Sequence, residues 1–150
     1  MEIRINKIGR ILEGEKTGLL IKIVPTHPND ENTNYLILEW SETDNKRNWD
    51  SWVETYEDIN SYFQTSHYKI EWLDDDFIEI PFNTIGCIIE GENFGQLIRI
   101  EGKRWDSMYQ VRLSTWEYEF SQSEDFVVEN EKAIRELFKE KNWKVKWLET

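Results

Sequence analysis

Apolar and polar positions along this chain fall into short runs whose order predicts the elements. Ile3 to Leu12 and Gly18 to Val24 are rich in β-branched residues and flank Glu13-Gly14-Glu15-Lys16-Thr17, a pattern that predicts a β-hairpin. A third strand is expected from Asn34 to Trp40. Thr55 to Asp58 has the shape of a capping box with a shorter acid, and Ile59, Tyr62 and Phe63 fall on one helical face, so a helix is expected over 55–65. Tyr68, Ile70 and Trp72 then alternate as in a closing strand.

The same series occurs again. Residues 1–23 align without gaps on 78–100, with 13 of 23 positions identical. Ile8-Gly9 and Glu13-Gly14-Glu15 recur as Ile85-Gly86 and Glu90-Gly91-Glu92, and Leu20-Ile21 recurs as Leu97-Ile98. Residues 50–73 align on 125–148, so that Asp50, Val53-Glu54, Ile59, Phe63 and Trp72-Leu73 match Asp125, Val128-Glu129, Ile134, Phe138 and Trp147-Leu148. A third strand in the second copy is expected from Met108 to Leu113, and a helix over 130–141 begins at Asn130. An internal repeat of this kind governs the fold. The expected class is α+β, a tandem duplication of a βββαβ unit with boundaries 1–77 and 78–150. One unit alone would bury only a modest core, and Asp74-Asp75-Asp76 is a short linker without Gly, Ser or Pro. A single compact pseudo-two-fold body is therefore expected.

Charge narrows the function classes. The 150 residues carry 18 Lys and Arg against 30 Asp and Glu, a net charge of −12. That balance opposes direct binding to nucleic acid, which needs cations to neutralise phosphates, and opposes docking on an anionic membrane. An aromatic share of 14%, including 8 Trp, sets the chain apart from a disordered acidic tail. Cys87 is the only cysteine, which rules out an intramolecular disulfide and a cysteine-based zinc site. Met1-Glu2-Ile3-Arg4 leads straight into a strand pattern rather than a signal peptide, and no apolar run approaches the roughly 20 residues that span a bilayer. A cytoplasmic, monomeric protein is expected. The 17 Ile, 11 Asn and single Ala133 reflect A/T-rich codons and point to a bacterial source.

Candidate chemistry is sparse. His27 stands in a Pro25-to-Pro28 loop and His67 at the expected start of a strand, neither at ligand spacing from another His or Cys. Cys87 falls in an isoleucine-rich strand and reads as a structural thiol. The Glu-Gly-Glu hairpins lack the Gly-Lys-Ser/Thr ending of a phosphate loop. Asp74-Asp75-Asp76 reads as a solvated linker rather than a metal site, because consecutive acids on an extended chain splay apart. Glu13, Glu15 and Glu54 recur as Glu90, Glu92 and Glu129; paired carboxylates can run hydrolysis, but shared turn and cap geometry explains the recurrence equally well. No catalytic residue, metal or cofactor is expected.

What remains is an uneven distribution of charge and aromatics. The first unit has 8 basic and 16 acidic residues, net −8, and the second 10 and 14, net −4. Ser41 to Glu57 combines acids with Trp49, Trp52 and Tyr56, and aromatics of this kind anchor interfaces. The candidate partner-binding residues are Glu42, Asp44, Trp49, Asp50, Glu54 and Glu57. Trp52 aligns with Val127 and reads equally as core; Trp49 aligns near Gln122 and reads equally as a lid over the sheet edge.

Ile8-Gly9 to Glu13-Gly14 leading into Gly18-Leu19-Leu20-Ile21, then Trp52-Val53-Glu54 and the closing Ile70-Glu71-Trp72-Leu73, give an outline that recurs through the second unit. A small, acidic, tryptophan-rich α+β chain of this outline resembles the immunity proteins that neutralise bacterial polymorphic or contact-dependent-inhibition toxins. The resemblance is one of class and transfers no individual residue. It implies a non-enzymatic antitoxin that binds one cognate toxin protein. Acidity favours a nuclease toxin, whose phosphate-binding groove must be basic. Two other readings stay open: a small hydrolytic enzyme using the recurring glutamates, and an acidic DNA-mimic inhibitor of a nucleic-acid enzyme.

Overall fold

Four strands precede each helix, one more than the βββαβ order predicts. In the computed structural model, which describes residues 2–44, 46–74, 77–102, 108–115 and 124–148, the chain divides into two compact units, Met1–Phe77 and Ile78–Thr150. The first contains β1 (Ile8–Glu13), β2 (Leu20–Pro25), β3 (Tyr35–Trp40), β4 (Asn48–Val53), α1 (Tyr56–Thr65) and β5 (Lys69–Trp72). The second contains β6 (Ile85–Glu90), β7 (Leu97–Glu101), β8 (Tyr109–Ser114), β9 (Glu124–Val128), α2 (Glu131–Lys141) and β10 (Lys144–Trp147). Each unit forms one five-stranded antiparallel sheet, ordered β4-β3-β2-β1-β5 and β10-β6-β7-β8-β9. These are the same order read from opposite ends. In both, the strand that follows the helix returns beside the first strand.

The additional strands β4 and β9 are sheet edges. Asn48-Trp49-Asp50-Ser51-Trp52-Val53 spaces its tryptophans three apart, so they leave on opposite faces and no period of two is visible. The first strand of each unit also starts later than the β-branched run. Asn6 and Asn83 have φ of 61° and 60°, and their amides reach back to the carbonyls of Ile23 and Ile100 at 2.8 and 2.7 Å. A left-handed residue there ends extended pairing, and Asn tolerates that conformation better than most.

Alternation buries one face of each sheet under its helix. In the first unit Ile11, Leu19, Ile21, Ile23 and Ile37 pack with Ile59, Phe63 and Tyr68. In the second, Ile88, Ile98, Ile100, Val111 and Leu113 pack with Ile134, Phe138 and Trp143. The recurring Ile-Gly pair has a packing cause: a Cβ on Gly9 would lie 2.6 Å from the Ile70 side chain, and one on Gly86 would lie 2.4 Å from that of Val145.

The helix caps follow the sequence. Thr55 Oγ1 accepts from the Asp58 amide at 3.2 Å and Asp58 Oδ2 accepts from the Thr55 amide at 3.1 Å, closing the capping box. Asn130 Oδ1 accepts from the Ala133 amide at 2.8 Å. His67, expected at the start of a strand, instead occupies the left-handed turn after α1 with φ of 56°, and Asn142 does the same after α2 with φ of 55°. His67 and its counterpart thus share a backbone requirement rather than a ligand chemistry. The Asp74 backbone carbonyl accepts from the Phe77 amide at 2.9 Å; Asp75 and Asp76, expected to complete the linker, lie outside the described residues.

Candidate partner-binding site

β4 is held in place by the loop that precedes it. The Ser41 side chain is buried, and its Oγ accepts from the Thr43 and Asp44 amides at 3.2 and 3.0 Å. Asp44 Oδ1 accepts from the Lys46 amide at 3.0 Å, a side-chain turn of the kind aspartate favours. The Arg47 amide donates to the Asp44 carbonyl, and the Arg47 carbonyl accepts from the Ser41 amide at 2.9 Å, where β4 begins to pair with β3. Register then runs Glu39↔Trp49, Leu38↔Asp50, Ile37↔Ser51 and Leu36↔Trp52. Trp49 and Ser51 thus share the helix side of the sheet with Glu39, while Asp50 and Trp52 lie on the opposite face.

The candidate residues separate along this strand. Glu42 is largely covered, with a side chain 11% exposed and an ion pair to Arg10 Nη1 at 3.0 Å. Asp44, Asp50, Glu54 and Glu57 are exposed. Trp49 is 41% exposed and receives Lys16 Nζ 4.7 Å above its ring and the Arg47 guanidinium at 5.8 Å. Trp52 is 57% exposed, so it is no part of the core. Tyr56 is 42% exposed and packs edge-on against Tyr35. At the far end of β4, Glu54, Tyr56 and Glu57 line an open cavity of about 400 Å³ together with Glu31. Acids therefore flank β4 at both ends and stand at its middle.

Beneath Trp49 lies a group of residues that the pattern of apolar positions does not reveal. Glu39 is 1% exposed on the helix side of β3. Its carboxylate accepts from Lys16 Nζ at 2.9 Å, from Tyr62 Oη at 2.6 Å and from Tyr68 Oη. A buried carboxylate survives only when its lone pairs are filled, and here one ammonium and two phenols fill them. Burial would lower the Lys16 pKa, but the hydrogen bond and charge of Glu39 more than offset it, and the ammonium is held above its ordinary value. Burial, reinforced by the hydrogen bond to Glu39, raises both Tyr62 and Tyr68. Lys16 joins this cluster to the Trp49 ring.

The second unit builds the same positions from other chemistry. Lys16, Glu39, Tyr62 and Tyr68 correspond to Asn93, Leu113, Leu137 and Trp143. Trp143 packs edge-on against Phe126 and Phe138. On the helix-free face of that sheet, Asp125, the counterpart of Asp50, accepts from Gln110 Nε2 at 2.7 Å and Arg112 Nε at 3.4 Å. Arg112 also pairs with Glu101 at 3.1 Å, and that hydrogen bond raises its pKa. Asp50 stands opposite Leu38 and has no such partner among the described residues. Pairing of Leu113 with Glu124 makes Glu124 the counterpart of Trp49; Gln122, expected there, lies outside the described residues.

Glu13 and Glu54 do not converge. Glu13 closes β1 at the end of the sheet where Leu20 pairs with Trp40, whereas Glu54 follows Val53, which pairs with Tyr35 at the opposite end. Three strand spacings, about 14 Å, also separate β1 from β4, beyond the span of a hydrolytic carboxylate pair. Glu90 and Glu92 pair with Lys144 and Lys141, each at 3.2 Å. The turn between them has a requirement of its own: Gly91 has φ of +100°, and a Cβ there would lie 2.1 Å from the Asn142 carbonyl oxygen. Cys87 is partly buried in β6, and His27 is exposed in its loop. Among the described residues no group of three or more His, Cys, Asp or Glu could hold a metal ion, and no helix is long and apolar enough to cross a membrane. Compared with protein families, curated proteins and solved structures, the chain finds no match.

Proposed function

We propose that this chain is a bacterial, cytoplasmic immunity protein that binds one cognate toxin and blocks its active site or substrate surface. The observation that carries the reading is the exposure of Trp49, Trp52 and Tyr56 on and beside an edge strand flanked by acids. Large amphipathic rings left in water beside uncompensated charge suit a surface that is covered by a partner. The acidic field of the first unit suits a basic partner, and a nuclease has to be basic where it holds phosphates. The same strand order in both sheets, with the matching Ile-Gly and Glu-Gly-Glu positions, supports descent from one duplicated unit.

The test is co-expression with the product of the adjacent gene. The expected result is a one-to-one complex that survives gel filtration, with loss of the neighbour's toxicity. A neighbour that is no toxin and does not bind overturns the reading.

A further inference from the structure

The backbone of β4 offers more than its side chains. Ser41 and Arg47 form a hydrogen-bonded pair through the Ser41 amide. In an antiparallel ladder such pairs alternate with non-bonded ones. The β3–β4 register therefore assigns Trp49, Ser51 and Val53 to bonded positions, while Asp50 and Trp52 direct their N–H and C=O away from β3. β4 ends its sheet, and neither residue has a hydrogen-bond partner among the described residues. At six residues it is also longer than β5, β9 or β10, the other edges described.

We infer that β4 is a strand-addition site for an extended basic segment of a partner protein. The occupant follows from charge. A second copy pairing β4 with β4 would bring two units of net −8 together and set acids near acids, which cross-strand pairing disfavours. An incoming strand with arginine or lysine at alternate positions meets Asp50 at the centre and Glu54 and Glu57 at one end, while at the other end Asp44 is accompanied by exposed Lys46 and Arg47, so the basic side chains belong at the centre and the Glu54 end. Trp49 and Trp52 flank the edge on opposite faces, so each face of the incoming strand finds a ring. Lys16 and Arg47 already lie against the Trp49 ring, so on that face the incoming strand meets the ring with apolar side chains. Main-chain pairing supplies affinity and the alternating side chains supply selectivity.

This inference rests on the reading of the first unit as a partner-binding surface, but it can fail separately. The probe is a blocked peptide of about eight alternating arginine and valine residues, long enough to cover β4. On binding, exchange of the Asp50 and Trp52 amide hydrogens in the full chain should slow about tenfold or more, and a glutamate–valine peptide should have no effect. Asp50→Asn removes only charge and should weaken binding several-fold at low salt. Asp50→Pro also removes the outward N–H without breaking a bond to β3, a place where an edge strand accepts proline, and should weaken binding about tenfold further. Equal binding by the two variants, or no slowing of exchange in the wild type, overturns strand addition; the exchange result decides if Asp50→Pro does not fold. A wild-type dimer that Asp50→Pro dissociates would assign the edge to a second copy and overturn the basic occupant. If the adjacent gene product binds without protecting these amides, strand addition fails and the immunity reading stands. If the peptide binds and the neighbour does not, the reverse holds.

Discussion

Glu39 shows how one residue can set the chemistry of its surroundings. Leucine fills the corresponding position of the second unit, with asparagine, leucine and tryptophan where the first has Lys16, Tyr62 and Tyr68. The first solution pairs Glu39 with Lys16, Tyr62 and Tyr68, whereas the second is apolar but leaves Trp143 Nε1 buried without a hydrogen-bond partner among the described residues. Glu39→Leu alone strands the buried Tyr68 hydroxyl and should cost about 1–3 kcal/mol in chemical denaturation. Adding Lys16→Asn, Tyr62→Leu and Tyr68→Trp imports the second unit's arrangement, with the buried indole N–H that Trp143 leaves unpaired among the described residues, and should recover part of the loss, because the four residues are coupled. Losses that simply add would show that they act independently. The cluster also carries a pH dependence. Tyr62, Tyr68 and Lys16 all have folded-state pKa values raised above 10.0 and 10.5. Above about pH 10 the unfolded chain has lost these protons while the folded chain keeps them, so stability falls as pH rises. Their contribution is complete below that pH and is lost as pH climbs through the folded-state values. In a phenolate titration, Tyr62 and Tyr68 should ionise late, together with unfolding; ionisation near pH 10 in an intact fold would contradict the cluster.

At the scale of elements, legibility followed burial. The β-hairpins, third strands, helices and closing strands could be read because each presents an apolar face with its own period. The caps at Thr55 and Asn130 could be read because capping is local chemistry. β4 and β9 could not, since apolar residues stand on both of their faces: Trp49 and Trp52 leave β4 on opposite sides, and Phe126, Val127 and Val128 follow one another in β9. The delayed start of β1 and the turn at His67 depend on single left-handed residues, which apolar patterning does not record. The Glu39 cluster was hidden for a different reason: polar residues in a core are invisible to hydrophobic periodicity. Its signal was nonetheless present, as four differences between the repeats that fall on facing elements. The helices provide the firmest mutational prediction. Phe138, on α2, is 2% exposed and packs edge-on against Trp143 in the core that also holds Ile134. Phe138→Ala should cost roughly 3–5 kcal/mol, and a change below about 1 kcal/mol on the same scale would mean that the α2 face is assigned wrongly.

For the whole molecule, the two units make different electrostatic contributions. The second unit, net −4, ties its edge acid Asp125 to Gln110 and Arg112. The first, net −8, leaves Asp50 without a partner among the described residues and places exposed Asp44, Glu54 and Glu57 around it. Glu42 belongs elsewhere, because Arg10 already compensates it. Charges of the first kind act at long range and are screened over about 8–10 Å at ordinary ionic strength, so they govern encounter. Rings act only after contact. Kinetics with the adjacent gene product at two ionic strengths should separate the two. Neutralising Asp44, Asp50, Glu54 and Glu57 together should slow association and flatten its salt dependence, with little change in dissociation. Neutralising Glu42 alone should alter association less than neutralising Asp50 alone, an equal change in formal charge. Trp52→Ala and Trp49→Ala should speed dissociation, and an anchoring ring should cost about 2 kcal/mol or more. Trp49 also rests on Lys16, so its loss disturbs the Glu39 cluster, whereas Trp52 stands free of it on the other face. Trp52→Ala therefore reports on partner contact alone. Fast association that ignores salt would remove the electrostatic role of the first unit, and unchanged dissociation in both tryptophan variants would move the contact away from β4.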